Sequence, residues 1–524
     1  MEKHYSTSSP DRVWDYVIIG SGMGGMACGA LLARLGKRVL LLEQHYVPGG
    51  FTQTFKRRQW VWDVGVHAVG EVSEKAVVGR VMHKLTNGNL EWEPLSTVYD
   101  EFYFPDDFRI GFPSDRLALM DALGAAFPAE RGAIAQYMSQ VAEVSEALQP
   151  YFLSRIFSGP LSRATDLLLA RKGERFLRQR TGDNLQRITS NERLRTVLAA
   201  QWGYYGTPPS RSSWGIHAAA AKHFWYGGHY PRGGARSIAD SMLATIAASD
   251  GWTRIRAAVD EILVKSDRAI GVRLDTGEEI RAKAVVSAAG AHTTVSKLLP
   301  DRQRNAPWAK SIGALASSPA YVCLHLGFKG DIRKAGAGAA NKWFYRTWDN
   351  EAASWNFSRN EEAPVLYTSF PSLKNPRHDP GPDQLHTGEI VTFVPYGDFA
   401  RWRDARWMKR GQEYMDLKEK LSEQLLGALL KQMPDLAPMV AYTELSTPVS
   451  TEHFTCATRG AIYGLESTPE RYSNPWLRPR TPVKNLYMAG VDVASCGVVG
   501  AFVGGLLCAT SAEPIGAMGF LRGV

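Results

Sequence analysis

The 524-residue sequence predicts an α/β fold that opens with a βαβ unit and continues into a mixed α+β region with a helical insertion. Three stretches near the start lead to this prediction. The apolar run 14–19 is typical of a buried strand, the small-residue run 23–35 indicates a helix, and the run 39–42 indicates a second buried strand. A right-handed crossover would make the two strands parallel neighbours.

The composition is that of an ordinary globular protein of two or three domains. Apolar residues make up 44% and charged residues 22%, which excludes a globally disordered or collagen-like chain. The net charge of +9 is a mild excess that allows an anionic partner without requiring one. The five cysteines form no CxxC pair, so we expect neither a disulfide framework nor a zinc module. A reducing cytoplasm fits this cysteine usage best.

The rest of the chain divides into segments of different pattern. Apolar residues at spacings of three and four predict helix over 115–150, and a second amphipathic helix is predicted at 417–430. Short β-type runs are predicted at 259–264, 269–274 and 284–288. We therefore predict one domain from residues 1–75, 230–310 and 470–524, a substrate domain from 311–469, and a helical lid from 76–229.

Residues 493–511 form an apolar stretch of marginal length for a membrane span. Four glycines lie in it, and Asp492 and Glu513 flank it, so we expect a buried helix instead. The polar N-terminus shows no signal-peptide pattern.

A glycine motif lies between the first strand and the first helix. Gly20, Gly22 and Gly25 form GxGxxG, and Glu43 ends the next predicted strand. Gly20 permits the tight turn, Gly22 lets the backbone approach a pyrophosphate, and Gly25 lets helix and strand pack closely. Glu43 can accept hydrogen bonds from ribose hydroxyls. These parts in register predict a Rossmann-type dinucleotide-binding domain.

Further motifs indicate whether the dinucleotide is a flavin or a nicotinamide cofactor, which GxGxxG alone does not. The block at Gly49, Gly50 and 63–67, together with the C-terminal stretch 486–492, resembles the amine oxidase and phytoene desaturase flavoprotein superfamily. More narrowly, the chain resembles the retinol saturases, which are relatives of carotenoid isomerases and phytoene desaturases. The matching blocks are Glu43-Gln44-His45, Asp63-x-Gly65-x-His67, Gly206-Thr207-Pro208-Pro209-Ser210, Tyr230-Pro231-Arg232-Gly233-Gly234 and Cys496-Gly497-Val498-Val499-Gly500-Ala501.

The resemblance implies non-covalent FAD and an FAD-binding domain beside a mixed α+β substrate domain. It implies that Asp492, two positions after Gly490, binds the ribityl chain, although the superfamily often has the acid directly after the glycine. The final helix would direct its N-terminus at the isoalloxazine ring. The predicted flavin-binding set is completed by Val259, Val498 and Val499.

His67 is the predicted catalytic residue, because it lies in the block that resembles a flavin-proximal loop and can exchange a proton with the substrate. Glu452 and His453 are weaker candidates, and Trp225-Tyr226 and 393–407 are candidate aromatic linings. The only other GxG, at 336–338, follows Arg333 and Lys334 where a strand would be needed. We therefore expect an external electron donor or acceptor, which favours a desaturase or an isomerase over a saturase.

The expected substrate is a lipophilic small molecule with a C–C or C=C bond that changes its redox state. A polyprenoid or carotenoid and a long-chain fatty acyl group, including a methyl-branched one, both remain open, as do the carotenoid isomerase and retinol-type saturase reactions. The rival enzyme is an amine oxidase on a polar substrate. No metal site is expected, since the histidines form no HxxxH or HExxH pattern.

The lid segment 151–180 alternates apolar clusters with cations, and only Asp166 and Glu174 oppose them. The cations are Arg155, Arg163, Arg171, Lys172, Arg175, Arg178 and Arg180. This pattern predicts peripheral attachment of a cytoplasmic protein to the inner membrane face. Nucleic acid is not expected as a partner, because no nucleic-acid-binding motif accompanies these cations.

Overall fold

The computed structural model describes residues 4–157, 165–359 and 361–524. Its strands are β1 Trp14–Ile19, β2 Val39–Leu42, β3 Thr54–Arg57, β4 Trp60–Asp63, β5 Trp92–Pro94, β6 Val98–Tyr103, β7 Arg109–Pro113, β8 His229–Pro231, β9 Trp252–Arg254, β10 Val259–Lys265, β11 Arg268–Leu274, β12 Glu279–Ser287, β13 Ala320–Lys329, β14 Asn341–Tyr345, β15 Val365–Ser369, β16 Leu385–Val394, β17 Val440–Ser446 and β18 Leu486–Met488.

The first large sheet has the order β10-β11-β12-β1-β2-β9, with β18 paired to β12. β1 is parallel to both β2 and β12, and β18 is parallel to β12. The carboxyl ends of β1 and β2 therefore meet at one edge, where a ligand binds in open parallel sheets. The predicted bounds of β1 and β2 agree with the structure, and the predicted α/β fold class is confirmed.

Helices cover the sheets and make up most of the segment 76–229 that is predicted as a lid. The longer ones are Met23–Arg34, Val77–Leu85, Arg116–Ala126, Arg131–Ser154, Arg171–Leu177, Thr181–Ile188, Glu192–Ala199, Trp214–His223, Arg236–Ala247, Pro307–Gly313, Gln412–Gln432, Pro448–Thr455, Gly497–Ala512 and Pro514–Leu521. The helix predicted over 115–150 is divided at 127–130, because Pro128 opens a 3₁₀ turn there. Among the described residues, no helix combines the length and the apolar character that crossing a membrane requires.

Two helices from opposite ends of the chain pack closely on the first sheet. A Cβ atom on Gly505 would lie 2.4 Å from the carbonyl oxygen of Gly24, so a larger side chain would force the helices Met23–Arg34 and Gly497–Ala512 apart. The helix Gly497–Ala512 corresponds to the buried helix predicted at 493–511. Its close packing fixes the residues around Gly490 beside the first glycine turn.

The second large sheet has the order β17-β13-β16-β15-β14-β6-β7. β13 and β16 pair over ten residues and are the longest strands of this sheet. β6 and β7 lie within the segment predicted as a helical lid, yet β6 pairs in parallel with β14 and extends this sheet. The reason is that Tyr99 and Phe102 of β6 are buried against aromatic residues such as Trp343 of β14.

Candidate active site

A long cavity runs between the two large sheets and contains most of the predicted site residues. Its empty volume is about 2050 Å³, including the part that opens to solvent. One end is lined by glycines and Glu43 at the carboxyl edge of the first sheet. The other end is lined by aromatic side chains of the second sheet. This division between a glycine-lined end and an aromatic end suits a dinucleotide beside an apolar molecule.

The glycine turn after β1 provides a backbone cradle. Gly20 has a φ of +95°, which favours glycine, and a Cβ on Gly25 would lie 2.1 Å from the carbonyl oxygen of Gly20. A Cβ on Gly22, in contrast, would have nothing within 4 Å. The backbone at Gly22 therefore borders open space in the cavity, as a closely approaching pyrophosphate requires.

Glu43 follows β2 directly and is 7% exposed. Its Oε2 accepts hydrogen bonds from the backbone N–H and the hydroxyl of Ser21 at 3.1 and 2.5 Å, and its Oε1 accepts from the N–H of His45 at 2.8 Å. The Ser21 hydroxyl also accepts from the N–H of Gly49 at 3.0 Å. Glu43 thus lies in the cavity wall and holds two loops together, and its bond to ribose stays a prediction.

Asp492 lies in another part of the wall, on the loop that follows Gly490. Its two carboxylate oxygens accept hydrogen bonds from the backbone N–H groups of Ala291 and Leu465 at 2.6 and 2.8 Å. Gly490, two positions earlier, has a φ of +102° and also lines the cavity. Asp492 therefore fixes three chain segments around the cavity, and ribityl binding stays a prediction for it.

The helix Gly497–Ala512 begins at this wall. Gly497 and Val498 line the cavity, and no side chain caps the first N–H groups of the helix. These N–H groups and the positive end of the helix dipole suit an electron-rich ring.

The remaining predicted flavin residues divide into two groups. Gly50 and Val259 line the cavity. Gly25, Gly49 and Val499 lie behind the lining, where Gly25 and Gly49 shape the turns and Val499 packs on the βαβ core. All of these assignments remain predictions, but the glycine cradle, the Glu43 end and the free helix terminus together fit FAD.

The aromatic end of the cavity comes from the second sheet and from the turn at 200–204. Trp343 lies 4.5 Å from Tyr367 and 5.1 Å from Tyr204 between ring centroids. Trp202 and Phe393 approach each other at 5.2 Å. These rings form a largely apolar wall suited to a lipophilic molecule.

His67 is part of the same wall. Its Nδ1 lies 3.0 Å from Oε2 of Glu389, which is completely buried on β16. The other oxygen of Glu389 lies 3.8 Å from Nδ1 of His325. Burial raises the pKa of Glu389, but the charge of His67 and the contact with His325 outweigh it and bring this pKa down to about 2. The carboxylate is therefore ionised at neutral pH.

A buried lysine lies behind His67. The ammonium group of Lys374 donates hydrogen bonds to the carbonyl oxygen of His67 at 2.7 Å, to the hydroxyl of Ser369 at 2.7 Å and to Oδ1 of Asn341. Burial lowers the pKa of Lys374 to about 7, while nearby carboxylates act in the opposite direction. Asp63 is another buried titratable group of this region. Burial and the charge of Glu389 raise its pKa to about 7.

The network extends from Lys374 to a second side chain of the cavity wall. The amide nitrogen of Asn341 donates to Asp100 at 2.9 Å, and the hydroxyl of Tyr204 donates to the same oxygen at 2.7 Å. Burial raises the pKa of Asp100. His67 and Tyr204 are thus the two cavity-lining ends of one buried polar network.

Other candidates from the sequence lie outside the cavity. Glu452 accepts from the hydroxyl of Tyr396 at 2.6 Å and pairs with Arg403, and His453 stacks on Trp407. Their neighbour Phe454 does line the cavity. Trp225 lies under the guanidinium of Arg116. The rejected GxG at 336–338 caps a short 3₁₀ helix before β14.

Sequence reasoning missed Ser21, Glu389, Lys374 and Tyr204. The one available signal was at Glu389, a lone acid in the apolar run of β16. Strand pairing places it opposite His325 and next to Ser369, which no local pattern shows.

Comparisons with known proteins agree with this geometry. An all-trans-retinol 13,14-reductase of Danio rerio is 33% identical, with 94% of this chain and 85% of that protein covered. A chloroplastic prolycopene isomerase of Daucus carota is 24% identical, with 95% of this chain and 80% of that protein covered. The solved structure of an oxidoreductase from Methanosarcina mazei shares the fold with a TM-score of 0.64 at 14% identity, with 94% of this chain and 98% of that chain covered.

A sequence profile for flavin containing amine oxidoreductases matches residues 23–512, which is most of the chain. This match confirms the family resemblance predicted from the motifs, and with it an oxidoreductase whose cofactor is FAD. The chain belongs to the flavin containing amine oxidoreductase family.

Proposed function

We propose that this FAD-dependent oxidoreductase adds hydrogen across a C=C bond of a lipophilic isoprenoid chain. The observation that supports it most is the cavity, in which the glycine cradle continues into a wall of Trp202, Tyr204, Trp343, Tyr367 and Phe393. The names of the retinol reductase and prolycopene isomerase relatives favour an isoprenoid over a fatty acyl chain. The reductase names also favour reduction over the desaturation expected from the sequence.

Bound FAD, once reduced by two electrons from an external donor, would supply the hydride for such an addition. The chain holds this cofactor through the backbone at Gly20 and Gly22, the carboxylate of Glu43, the loop at Gly490 and Asp492, and the N-terminus of the helix Gly497–Ala512. The aromatic wall excludes water from the reacting bond.

His67 provides the proton. Its Nδ1 lies 3.0 Å from a carboxylate oxygen of Glu389, which leaves Nε2 as the ring nitrogen for a molecule in the cavity. The Nε2–H bond breaks as a C–H bond forms on the substrate. The neutral imidazole then recovers a proton from solvent. Positioned acids of this kind contribute about 10²–10⁴-fold to a rate.

The experiment is anaerobic mixing of chemically reduced enzyme with candidate substrates, followed by product identification. All-trans-retinol should reoxidise the flavin and yield a product two hydrogens heavier. A geometric isomer of a poly-cis carotenoid with no net flavin oxidation would favour the isomerase. A second experiment starts from the oxidised enzyme. If a primary amine reduces its flavin, the amine oxidase is favoured. If an acyl chain or a saturated isoprenoid reduces it, a desaturase is favoured.

We also propose that the lid attaches the enzyme to an anionic bilayer, from which a water-insoluble substrate is taken up. Leu153, Phe157, Leu168 and Leu169 are exposed, with Leu168 at 80%. Arg171, Lys172, Arg175, Arg178 and Arg180 are exposed on the adjoining segment. Three residues of the segment 151–180 do not face outward: Tyr151 and Leu177 pack in the core, and Arg155 is buried and donates to the carbonyl oxygens of Asn474 and Leu477. Leu161 and Arg163 lie outside the described residues.

A further inference from the structure

The inference that goes furthest concerns the buried charges behind the cavity wall, and it rests on the proposed role of His67. We propose that Glu389 is a positioning residue: it holds the imidazole of His67 by Nδ1, so that Nε2 carries the exchanged proton toward the substrate. Lys374 holds the same residue by its backbone.

The distances to the two imidazoles show why His67 is the partner that matters. Glu389 is 0% exposed, so its negative charge needs a cation close by. His67 is at 3.0 Å, whereas His325 is at 3.8 Å and directs Nε2 to the hydroxyl of Ser446 at 3.2 Å. His325 therefore lies in a structural contact at both nitrogens, and His67 is the histidine with a ring nitrogen left for the cavity.

His67 is held at three points. Oε2 of Glu389 lies 3.0 Å from Nδ1 as its charge partner, Lys374 binds the backbone carbonyl oxygen at 2.7 Å, and Tyr367 lies edge-on to the ring at 5.2 Å between centroids. A proton donor gains most from such preorganisation, because a misdirected imidazole loses the alignment with the reacting carbon. The arrangement resembles a carboxylate that orients a catalytic histidine and stabilises its charged form.

The test compares four variants as FAD-loaded proteins: Glu389→Gln, Glu389→Asp, His67→Asn and the Glu389→Gln/His67→Asn double variant. Glu444→Gln is the matched control, since Glu444 also pairs in register with His325 but lies on β17, outside the cavity lining. The readouts are kcat and KM for the substrate and the absorbance spectrum of the bound flavin.

We expect Glu389→Gln to lower kcat by at least about 10-fold, with KM and the flavin spectrum unchanged, because only the proton step is affected. Glu389→Asp should recover part of the loss, and the double variant should be no slower than His67→Asn alone. Glu444→Gln should match the wild type. A purely structural role would instead change KM, flavin retention and kcat together.

Wild-type kcat in Glu389→Gln alongside an impaired His67→Asn would overturn the inference and leave the role of His67 standing. A fully active His67→Asn would instead remove the proton step of the proposed function. If Glu389→Gln does not fold, Glu389→Asp is the deciding variant. Aspartate keeps the buried charge, but its shorter side chain moves the carboxylate away from Nδ1. Wild-type kcat in Glu389→Asp would therefore also overturn the inference.

Discussion

A Cβ atom on Gly504 would lie 2.1 Å from the carbonyl oxygen of Gly490. The helix Gly497–Ala512 therefore contacts the loop at Gly490, which is predicted to bind the ribityl chain, with no side chain between the two backbones. Gly504→Ala must therefore push the helix away from Gly490 and change the geometry of the flavin pocket. We expect a loss of FAD affinity together with a fall in Tm, measured by flavin release on dilution and by thermal unfolding.

The control for this prediction is Gly427→Ala. Gly427 lies in the helix Gln412–Gln432, and a Cβ there would have nothing within 4 Å. Alanine is favoured over glycine inside a helix by about 1 kcal/mol, so this variant should be equal to or more stable than the wild type. A Gly504→Ala protein that behaves like Gly427→Ala would contradict the close packing.

Gly22→Val tests the cradle without disturbing the fold. Gly22 has an ordinary φ of −63°, and the space beyond its α-carbon is open, so valine strains neither backbone nor packing. Valine does fill the approach to the pyrophosphate, and we expect a folded, colourless protein. The wild type should be yellow and release FAD into the supernatant on acid treatment, which covalent attachment would prevent. A yellow Gly22→Val protein would show that FAD does not bind against the backbone at Gly22.

The fold and the glycine-lined end of the cavity were predictable, because their signals are local. The GxGxxG turn, Glu43 after β2 and the small-residue helix at the C-terminus each follow from a short stretch of sequence. The chemistry behind His67 was not predictable. Glu389 and Lys374 lie more than three hundred residues after His67 and reach it through strand order and register, which depend on the packing of the whole second sheet.

NADPH alone should reduce the bound flavin slowly in the isolated protein. The sequence shows one dinucleotide motif, and the structure places the other GxG at the end of a short 3₁₀ helix, away from a strand–helix turn. Stopped-flow mixing under anaerobic conditions measures the rate, and dithionite reduction serves as the positive control. Rapid bleaching by NADPH would indicate a self-sufficient reductase and remove the need for an external electron donor.

Lys374 should make stability depend on pH above neutrality. Its pKa falls to about 7 in the folded protein, while the unfolded chain keeps the ordinary lysine pKa of 10.5. Between these values the unfolded state binds more protons, so this lysine makes stability rise with pH, by at most about 1.4 kcal/mol per pH unit. Lys374→Met should therefore flatten the change of Tm between pH 7 and about 9.5. An identical Tm-versus-pH slope in the two proteins would show that the lysine is not held neutral.

The last prediction concerns the lid and the bilayer. Each exposed cation near an anionic surface contributes about 1 kcal/mol, and exposed leucines insert beside the headgroups. Reversing Arg171, Lys172, Arg175 and Arg178 to Glu should abolish co-sedimentation with anionic vesicles at low salt. Leu168→Asp should weaken it, whereas Leu117→Asp should not, since Leu117 is a comparably exposed leucine, at 69%, on the separate helix Arg116–Ala126.

Equal binding of all these variants, or undetectable binding of the wild type, would favour a substrate delivered by a carrier. Unchanged activity on detergent-dispersed substrate in the charge-reversed variant would place the effect at the membrane and not at the active site.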